Sequence, residues 1–168
     1  MGRDILAMDV GTSGLKLGVF GPDLEQRVAV SRRYDFQVYD QGKADIRPET
    51  WWSAIGDACA EVRSYLGGVE VVALSVTTPG LTPMAADGTA LGPAILFLDG
   101  RSRAQAAAIR QAVGEDRFLA EACNLPVSGG SSLASMLWIR DDQPEVWSAA
   151  AMFGHCNTYL THRMTGRW

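Results

Sequence analysis

The chain has few of the side chains that hold zinc or build disulfide frameworks. Its 168 residues include only two histidines and three cysteines, which are Cys59, Cys123 and Cys156. The cysteines are far apart and odd in number, and no C-x-x-C pair or Cys/His quartet occurs, which argues against a zinc site or a disulfide scaffold. A secretory leader and a run of about 18 apolar residues are also missing, so the sequence predicts a cytoplasmic protein without a membrane span.

An excess of positive charge is missing too. The chain has 15 Lys and Arg residues against 19 Asp and Glu residues, a formal net charge of -4. Such a chain produces no large positive field, so we expect neither a nucleic-acid partner nor attraction to an anionic membrane. The composition, 47% hydrophobic and 20% charged, is typical of a globular protein, and the length suffices for one domain with a real core.

The spacing of apolar residues predicts three strands, at residues 4–10, 15–20 and 27–38, joined by short turns as an antiparallel meander. A helix begins at Pro48, and a buried strand over 69–76 is interrupted by the region 79–83. Further helices are predicted at 102–113, with Ser102 and Gln105 as a capping box, at 114–122, at 133–141 and up to about residue 164. Short strands are predicted near 94–98 and 150–154. This order is similar to the ribonuclease-H-like core of actin-like ATPases, an α/β fold with a mixed sheet and flanking helices.

The strongest chemical signal lies between the first two predicted strands. Asp9 stands near the end of the first strand, the turn reads Gly11-Thr12-Ser13-Gly14, and Lys16 begins the second strand. Glycines let the backbone turn tightly and approach an anion, and successive N–H groups can form an anion-binding nest. Asp9 is placed to hold a hydrated Mg²⁺ ion, which prefers one or two carboxylates with waters and phosphate oxygens.

An ordinary hairpin has the same glycine and hydroxyl pattern, and this interpretation remains open. A carboxylate at the end of a buried strand favours the functional interpretation, because such a group needs a partner. The phosphate-binding pattern G-x-x-x-x-G-K-[ST] and the dinucleotide-binding pattern G-x-G-x-x-G are both absent, which argues against those two nucleotide-binding folds.

Several segments, in order, resemble the FGGY family of carbohydrate kinases. MDVGTSGLKLGVFG at 8–21 resembles the family's first phosphate motif, and DIRPETWW at 45–52 resembles its acidic, proline and double-tryptophan stretch. Residues 71–102, which end in PAILFLDGRS, are closest to xylulokinase-like members. SSLASMLWIRDDQPEVW at 131–147 and YLTHRMTG at 159–166 resemble two later family helices. The resemblance covers essentially the whole chain.

This resemblance implies an ATP-dependent kinase that phosphorylates a hydroxyl of a sugar or polyol, a ketopentose such as xylulose being the first expectation, with ATP and Mg²⁺ as cofactors. Asp9 would handle the metal. The expected contacts to the β- and γ-phosphates are Gly11, Thr12, Ser13 and Lys16. The expected substrate contacts are Thr78, Phe97, Asp99 and Arg101. Phosphoryl transfer depends mainly on positioning and on neutralising charge, which suits these residue types.

The chain departs from the family pattern in the substrate loop. Where xylulokinase-like members have Met-His and glycerol kinases have Arg-Glu, this chain has Thr78-Pro79, so the sugar contacts of neither subfamily can be copied. Structural interpretations also stay open for the other substrate candidates: Asp99 and Arg101 as a turn aspartate paired with an arginine, and Phe97 as a core aromatic.

Length is the largest departure. Family members are much longer, with a second actin-like domain that supplies the adenine pocket, and their catalytic base is an aspartate in a glycine-rich motif that does not occur here. The resemblance therefore predicts a single N-terminal domain over residues 1–168, with the base beyond Trp168, no activity on its own and the missing C-terminal domain as a partner. Apolar surface exposed by truncation predicts self-association as a homo-oligomer. The alternative is a truncated, non-catalytic binding or regulatory module with an actin-like fold.

One adjacent pair invites a nucleophile-and-base interpretation. His155 and Cys156 are neighbours in the chain. Adjacent side chains rarely point at one another, and no orienting third group is evident, so we interpret the pair as structural.

Overall fold

A computed structural model describes residues 3–168, apart from the side chain of Gln41. The strands, in chain order, are β1 (Asp4–Val10), β2 (Gly14–Phe20), β3 (Gln26–Arg33), β4 (Gln37–Val38), β5 (Ala44–Ile46), β6 (Val69–Val76), β7 (Gly80–Met84), β8 (Ala94–Leu96) and β9 (Met152–Gly154). The α-helices are α1 (Pro48–Glu61), α2 (Arg103–Val113), α3 (Glu115–Ala122), α4 (Ser132–Asp142), α5 (Pro144–Ala149) and α6 (Cys156–Thr165). Two short 3₁₀ helices cover Asp40–Gly42 and Arg63–Gly68.

The described residues form two compact units. Those up to Phe36, together with Pro48–Thr77, form the first unit. Gln37–Arg47 and Thr78–Trp168 form the second unit. Each unit has its own sheet, and each is described separately below.

The sheet of the first unit is mixed. Its strand order is β3-β2-β1-β6, with β1 antiparallel to β2 and parallel to β6. The strands β1, β2 and β3 follow one another as antiparallel neighbours, which confirms the predicted meander. The strand predicted at 69–76 is confirmed as β6, but the prediction that it is buried is wrong, because no residue of β6 is buried and it lies at the edge of the sheet.

One face of this sheet is covered by α1. Alternate residues of β1, namely Leu6, Met8 and Val10, are buried, and α1 contacts β2 and β3. On α1, Trp51 and Ala58 are completely buried. Because each fully buried aliphatic side chain stabilises a fold by about 1.5–3 kcal/mol, this layer fixes which face of each strand points inward.

The opposite face of the sheet is open. Small residues from four strands line a groove of about 730 Å³ on this face; they are Ala7, Gly18, Ala29 and Ala73. Asp9 and Lys16 lie along the same groove. The open face therefore has a floor of small residues and two charged residues near the ends of their strands.

The third predicted strand is shorter than expected. The sequence predicts one strand over 27–38, whereas β3 ends at Arg33 and Gln37–Val38 pair with β5 in the second unit. The neighbouring strand β2 begins at Gly14, which lies opposite Arg33. Residues beyond Arg33 therefore have no strand opposite them and leave the sheet.

The second unit contains a five-stranded antiparallel sheet with the order β4-β5-β8-β7-β9. The strand β7, which lies between β8 and β9, is buried throughout, although the sequence predicts a break across 79–83. Pro83 pairs with Phe153 of β9, and its carbonyl accepts a hydrogen bond from Leu91 N at 2.9 Å. Proline lacks only the N–H, so the strand forms despite it.

The helices of the second unit occur where the sequence predicts them, with one addition and one correction. The short helix α5 is additional. The predicted capping box at Ser102 is wrong, because its side chain makes no capping hydrogen bond and its hydroxyl lies 3.0 Å from the hydroxyl of Ser128. Across residues 3–168, no helix is both long and apolar enough to cross a membrane.

His155 joins three elements of the second unit. Its Nδ1 accepts a hydrogen bond from Gly80 N at 3.2 Å, at the start of β7, and its Nε2 lies 3.1 Å from the hydroxyl of Ser132 in α4. His155 itself precedes α6. An acceptor role for Nδ1 places the single ring proton on Nε2, which requires neutral histidine. Burial lowers the pKa of His155 from its ordinary value of 6.5, which favours the same neutral form.

This bonding predicts that acid destabilises the chain through His155. The folded-state pKa of His155 is lowered, so its contribution to the free energy of unfolding is complete above about pH 6.5. That contribution is lost as pH falls from there towards the lowered pKa. Urea unfolding at pH 7.0 and pH 5.5 should show a smaller fall in the free energy of unfolding for His155→Asn than for the wild type. His162→Asn is the matched control and should retain the full fall. An unchanged pH dependence in His155→Asn would contradict the prediction.

The open edge of the first unit's sheet predicts self-association. β6 pairs with β1 on one side, no described strand pairs with its other side, and Val71 and Val72 are 42% and 51% exposed. Long apolar edges without Lys or Pro favour pairing with another chain. We expect sedimentation at rising concentration to show oligomers, fewer of them for Val71→Lys, and no change for the control Val113→Lys at an exposed helix position. A wild-type chain that stays monomeric at high concentration would refute this prediction.

Candidate functional site

The strands β1 and β2 bring Asp9 and Lys16 side by side. The two residues are direct register partners, so both side chains project from the open face of the sheet. Both are exposed, and no described residue forms an ion pair within 4 Å of either side chain. One carboxylate and one ammonium group thus stand next to each other with their charges available to a ligand.

The turn between these strands has two available backbone donors. The N–H of Gly11 donates to the carbonyl of Gly14 at 2.8 Å, so it is used within the hairpin. The N–H groups of Thr12 and Ser13 find no acceptor among the described residues. The sequence predicts an anion-binding nest of successive N–H groups, and the structure leaves these two N–H groups available for it.

The two glycines of the turn allow close backbone approach. A Cβ atom at Gly14 would lie 2.7 Å from the carbonyl oxygen of Arg32 in β3, and one at Gly11 would lie 3.2 Å from the oxygen of Gly14. A side chain at Gly14 would therefore push β3 away from the hairpin. Glycine is required here by the neighbouring strand, in addition to any ligand.

Tyr34 and Thr77 support the hairpin, and sequence reasoning does not identify either of them. The hydroxyl of Tyr34 donates to the carbonyl of Gly11 at 2.7 Å and lies 3.2 Å from that of Gly14. Thr77 Oγ1 lies 3.1 Å from Thr12 Oγ1. The pairing of Gly14 with Arg33 places Tyr34 opposite the turn. The register of β2 and β3 is therefore the feature that would identify Tyr34 as a support of the hairpin.

The donor set fits a hydrated Mg²⁺ ion bound with phosphate. Among residues 3–168 no group of three or more His, Cys, Asp and Glu residues is placed to hold a metal ion. Mg²⁺ does not require such a cage, because it keeps several waters and binds through one or two carboxylates and phosphate oxygens. A single exposed carboxylate at Asp9, beside free N–H groups, meets that description.

Of the expected substrate residues, Asp99 has its carboxylate buried in the second unit. Its Oδ2 accepts hydrogen bonds from Ala44 N at 2.6 Å and Arg101 Nε at 2.8 Å, and its Oδ1 accepts one from Arg101 N at 2.8 Å. A carboxylate with three such donors is already satisfied. This bonding supports the structural interpretation of Asp99 that the sequence leaves open.

Arg101 joins the same cluster. Its NH2 group lies 2.7 Å from Asp45 Oδ2, and its guanidinium carbon lies 5.0 Å from the centre of the Trp138 ring. The side chains of Asp45 and Arg101 are 9% and 8% exposed. The motif residues Asp99 and Arg101 are thus brought together, with Asp45 as a third charged partner.

Thr78 and Phe97 differ from these two residues because both are exposed. They remain candidates for contact with a ligand, and their substrate role stays a prediction. Cys156, by contrast, is completely buried, and burial raises the pKa of its thiol far above the ordinary range. The hydrogen bonds of His155 go to Gly80 and Ser132, which agrees with a structural interpretation of the His155–Cys156 pair.

Comparison with known proteins identifies the family. The profile of the FGGY family of carbohydrate kinases, N-terminal domain, matches residues 5–168. A xylulose kinase of Bacillus subtilis is 26% identical over 166 residues, which cover 96% of this chain and 33% of the relative. A glycerol kinase of Methylobacterium nodulans is 29% identical over 180 residues, covering 99% of this chain and 35% of the relative. The chain spans about a third of the length of the curated relatives it matches.

Solved structures show the same fold. A xyloylose kinase from Brucella ovis superposes with a TM-score of 0.88 at 22% identity, over 99% of this chain and 35% of that one. A xylulose kinase from Rhodospirillum rubrum gives 0.86 at 22% identity, over 95% of this chain and 33% of that one. These matches confirm the predicted actin-like, ribonuclease-H-like α/β fold. The chain belongs to the FGGY family of carbohydrate kinases and corresponds to its N-terminal domain.

Proposed function

We propose that this chain is part of an ATP-dependent kinase that transfers the γ-phosphate of ATP to a hydroxyl group of a sugar or polyol. The observation that carries the proposal is the hairpin, where a carboxylate, an ammonium group and two free N–H groups lie together. A ketopentose such as xylulose is the proposed substrate, because several relatives are named xylulose kinase. Relatives named glycerol kinase keep a polyol as the second candidate.

Each hairpin residue has a role in this proposal. Bound Mg²⁺ would neutralise charge on the phosphates, and Asp9 would hold it through waters or directly. The N–H groups of Thr12 and Ser13 donate to phosphate oxygens, and Lys16 adds positive charge. Gly11 cannot donate its N–H to phosphate, because that N–H is bonded to Gly14. Its role is to let the backbone approach the phosphates closely. Thr78 and Phe97 are the exposed candidates for sugar contact, whereas Asp99 and Arg101 pair with each other in a cluster that includes Asp45.

The proposal places the other parts of the catalytic site outside residues 1–168. We propose that residues 1–168 form one N-terminal domain, that the catalytic base lies beyond Trp168, and that a C-terminal domain completes the adenine pocket. A cytoplasmic location is part of the proposal, and all three cysteines are free thiols. The non-catalytic module considered from the sequence gains no support from the relatives, which carry kinase names.

The hairpin can be tested on the 168-residue chain by titration with magnesium pyrophosphate. We expect saturable binding that depends on Mg²⁺ and that weakens roughly tenfold or more in Asp9→Ala, because the charge-assisted contact to the hydrated metal is lost. Asp57→Ala, at an exposed position on α1, is the matched control and should bind like the wild type. Identical titrations for Asp9→Ala and the wild type would contradict the site assignment.

The activity can be tested on both the chain and its full-length parent. The 168-residue chain should produce no sugar-dependent ADP, because the base and the adenine pocket lie outside it. The full-length protein should phosphorylate at least one member of a panel of ketoses and polyols, and Asp9→Ala should abolish that turnover. Sugar-dependent ADP formation by the pure 168-residue chain would contradict the proposal that the catalytic base and the adenine pocket lie outside it.

A further inference from the structure

We propose that Tyr34 is a positioning residue for the phosphate hairpin, and that its hydroxyl orients the N–H of Thr12 towards bound phosphate. The inference rests on the proposed function, because it assumes that the hairpin binds phosphate. It assigns a role in phosphate binding to a residue outside the loop, whose side chain the phosphate itself would not touch.

Tyr34 holds three of the four carbonyl groups of the turn. Its hydroxyl donates to the oxygen of Gly11 at 2.7 Å and lies within reach of the oxygen of Gly14 at 3.2 Å. Its own backbone N–H donates to the oxygen of Ser13 at 3.3 Å. Tyr34 thus contacts most of the carbonyl oxygens of the turn.

Because the peptide bond is planar, fixing the carbonyl oxygen of Gly11 also fixes the direction of the N–H of Thr12. In a trans peptide the carbonyl oxygen of one residue and the N–H of the next point in opposite directions. The oxygen of Gly11 and the N–H of Thr12 belong to one such unit. Because the hydroxyl of Tyr34 fixes the oxygen of Gly11 towards the buried ring, the N–H of Thr12 must point away from that ring.

This orientation matters because carbonyl oxygens and phosphate oxygens repel one another. If the peptide unit between Gly11 and Thr12 rotated, it would present an oxygen to the anion and withdraw a donor. A site whose dipoles are already aligned avoids that reorganisation when the ligand binds. The N–H of Ser13 belongs to a peptide unit whose carbonyl, on Thr12, is not bonded to Tyr34.

A second contact holds the other side of the turn. Thr77 N donates to the oxygen of Val10 at 2.8 Å, and Thr77 Oγ1 lies 3.1 Å from Thr12 Oγ1. If Thr77 is the hydroxyl donor, the hydrogen of Thr12 is free for a phosphate oxygen. Thr12 is therefore held through its backbone by Tyr34 and through its side chain by Thr77.

The test compares Tyr34→Phe with Tyr65→Phe in the 168-residue chain. Tyr34→Phe removes the hydroxyl alone, and Tyr65→Phe removes one from an exposed tyrosine of the same unit. Magnesium pyrophosphate is titrated while amide signals are recorded by nuclear magnetic resonance, at a temperature where urea curves show each variant fully folded. We expect the Kd of Tyr34→Phe to rise about fivefold, as for loss of one net hydrogen bond, with no change for Tyr65→Phe.

The amide signals separate positioning from mere stabilisation. In Tyr34→Phe the ligand-induced shift of the Thr12 amide should shrink more than that of Ser13, because only the Thr12 peptide unit loses its anchor. Thr77→Val serves as a second variant if Tyr34→Phe does not fold, and it should also weaken binding. The inference fails alone if Asp9→Ala abolishes binding while Tyr34→Phe and Thr77→Val bind like the wild type. The absence of saturable binding by the wild type would overturn both the inference and the proposed phosphate site.

Discussion

The register of β1 within its sheet is the constraint on which the rest of the candidate site depends. Leu6, Met8 and Val10 are buried on the α1 side, so the alternate residue Asp9 must project from the open face. Side chains alternate with a period of two, and a slip of one residue would bury Asp9 and expose Met8 and Val10. The apolar contacts under α1 therefore determine where the carboxylate points. The same register places Lys16 opposite Asp9, so one set of buried side chains positions both charges.

This dependence explains which features could be predicted from the sequence. The first two strands, the glycine turn between them and the start of α1 at Pro48 are predicted from local patterns, and all three are confirmed. The support from Tyr34 is not local, because it depends on how β3 is aligned with β2, including an irregularity between Val19 and Phe20. No short window of sequence contains that alignment. The short connection predicted between the second and third strands indicates their pairing, but the partners of the Tyr34 hydroxyl depend on the exact register of that pairing.

The second unit shows a different limit. The run that contains Asp99 and Arg101 is compatible with a substrate role and with an ion-pair role, and the sequence leaves both interpretations open. Burial separates them, and the burial of Asp99 depends partly on Ala44 N, a backbone group 55 residues earlier in the chain. The strand β7 was missed for a related reason. Pro83 suggests a break in the local pattern, whereas burial between β8 and β9 supplies enough pairing to outweigh one missing donor.

The open face of the first sheet meets two opposing requirements along the same strands. Near the turn it carries Asp9 and Lys16, which need access to water and ligand, and further along it carries small apolar residues, which gain stability when covered. The two requirements are separated by position, because the charged residues lie towards the ends of β1 and β2 that meet at the hairpin. A covering element could therefore bury the apolar part and leave the hairpin accessible. The same strand register that aims Asp9 also determines how much of the face can be covered without closing the candidate phosphate site.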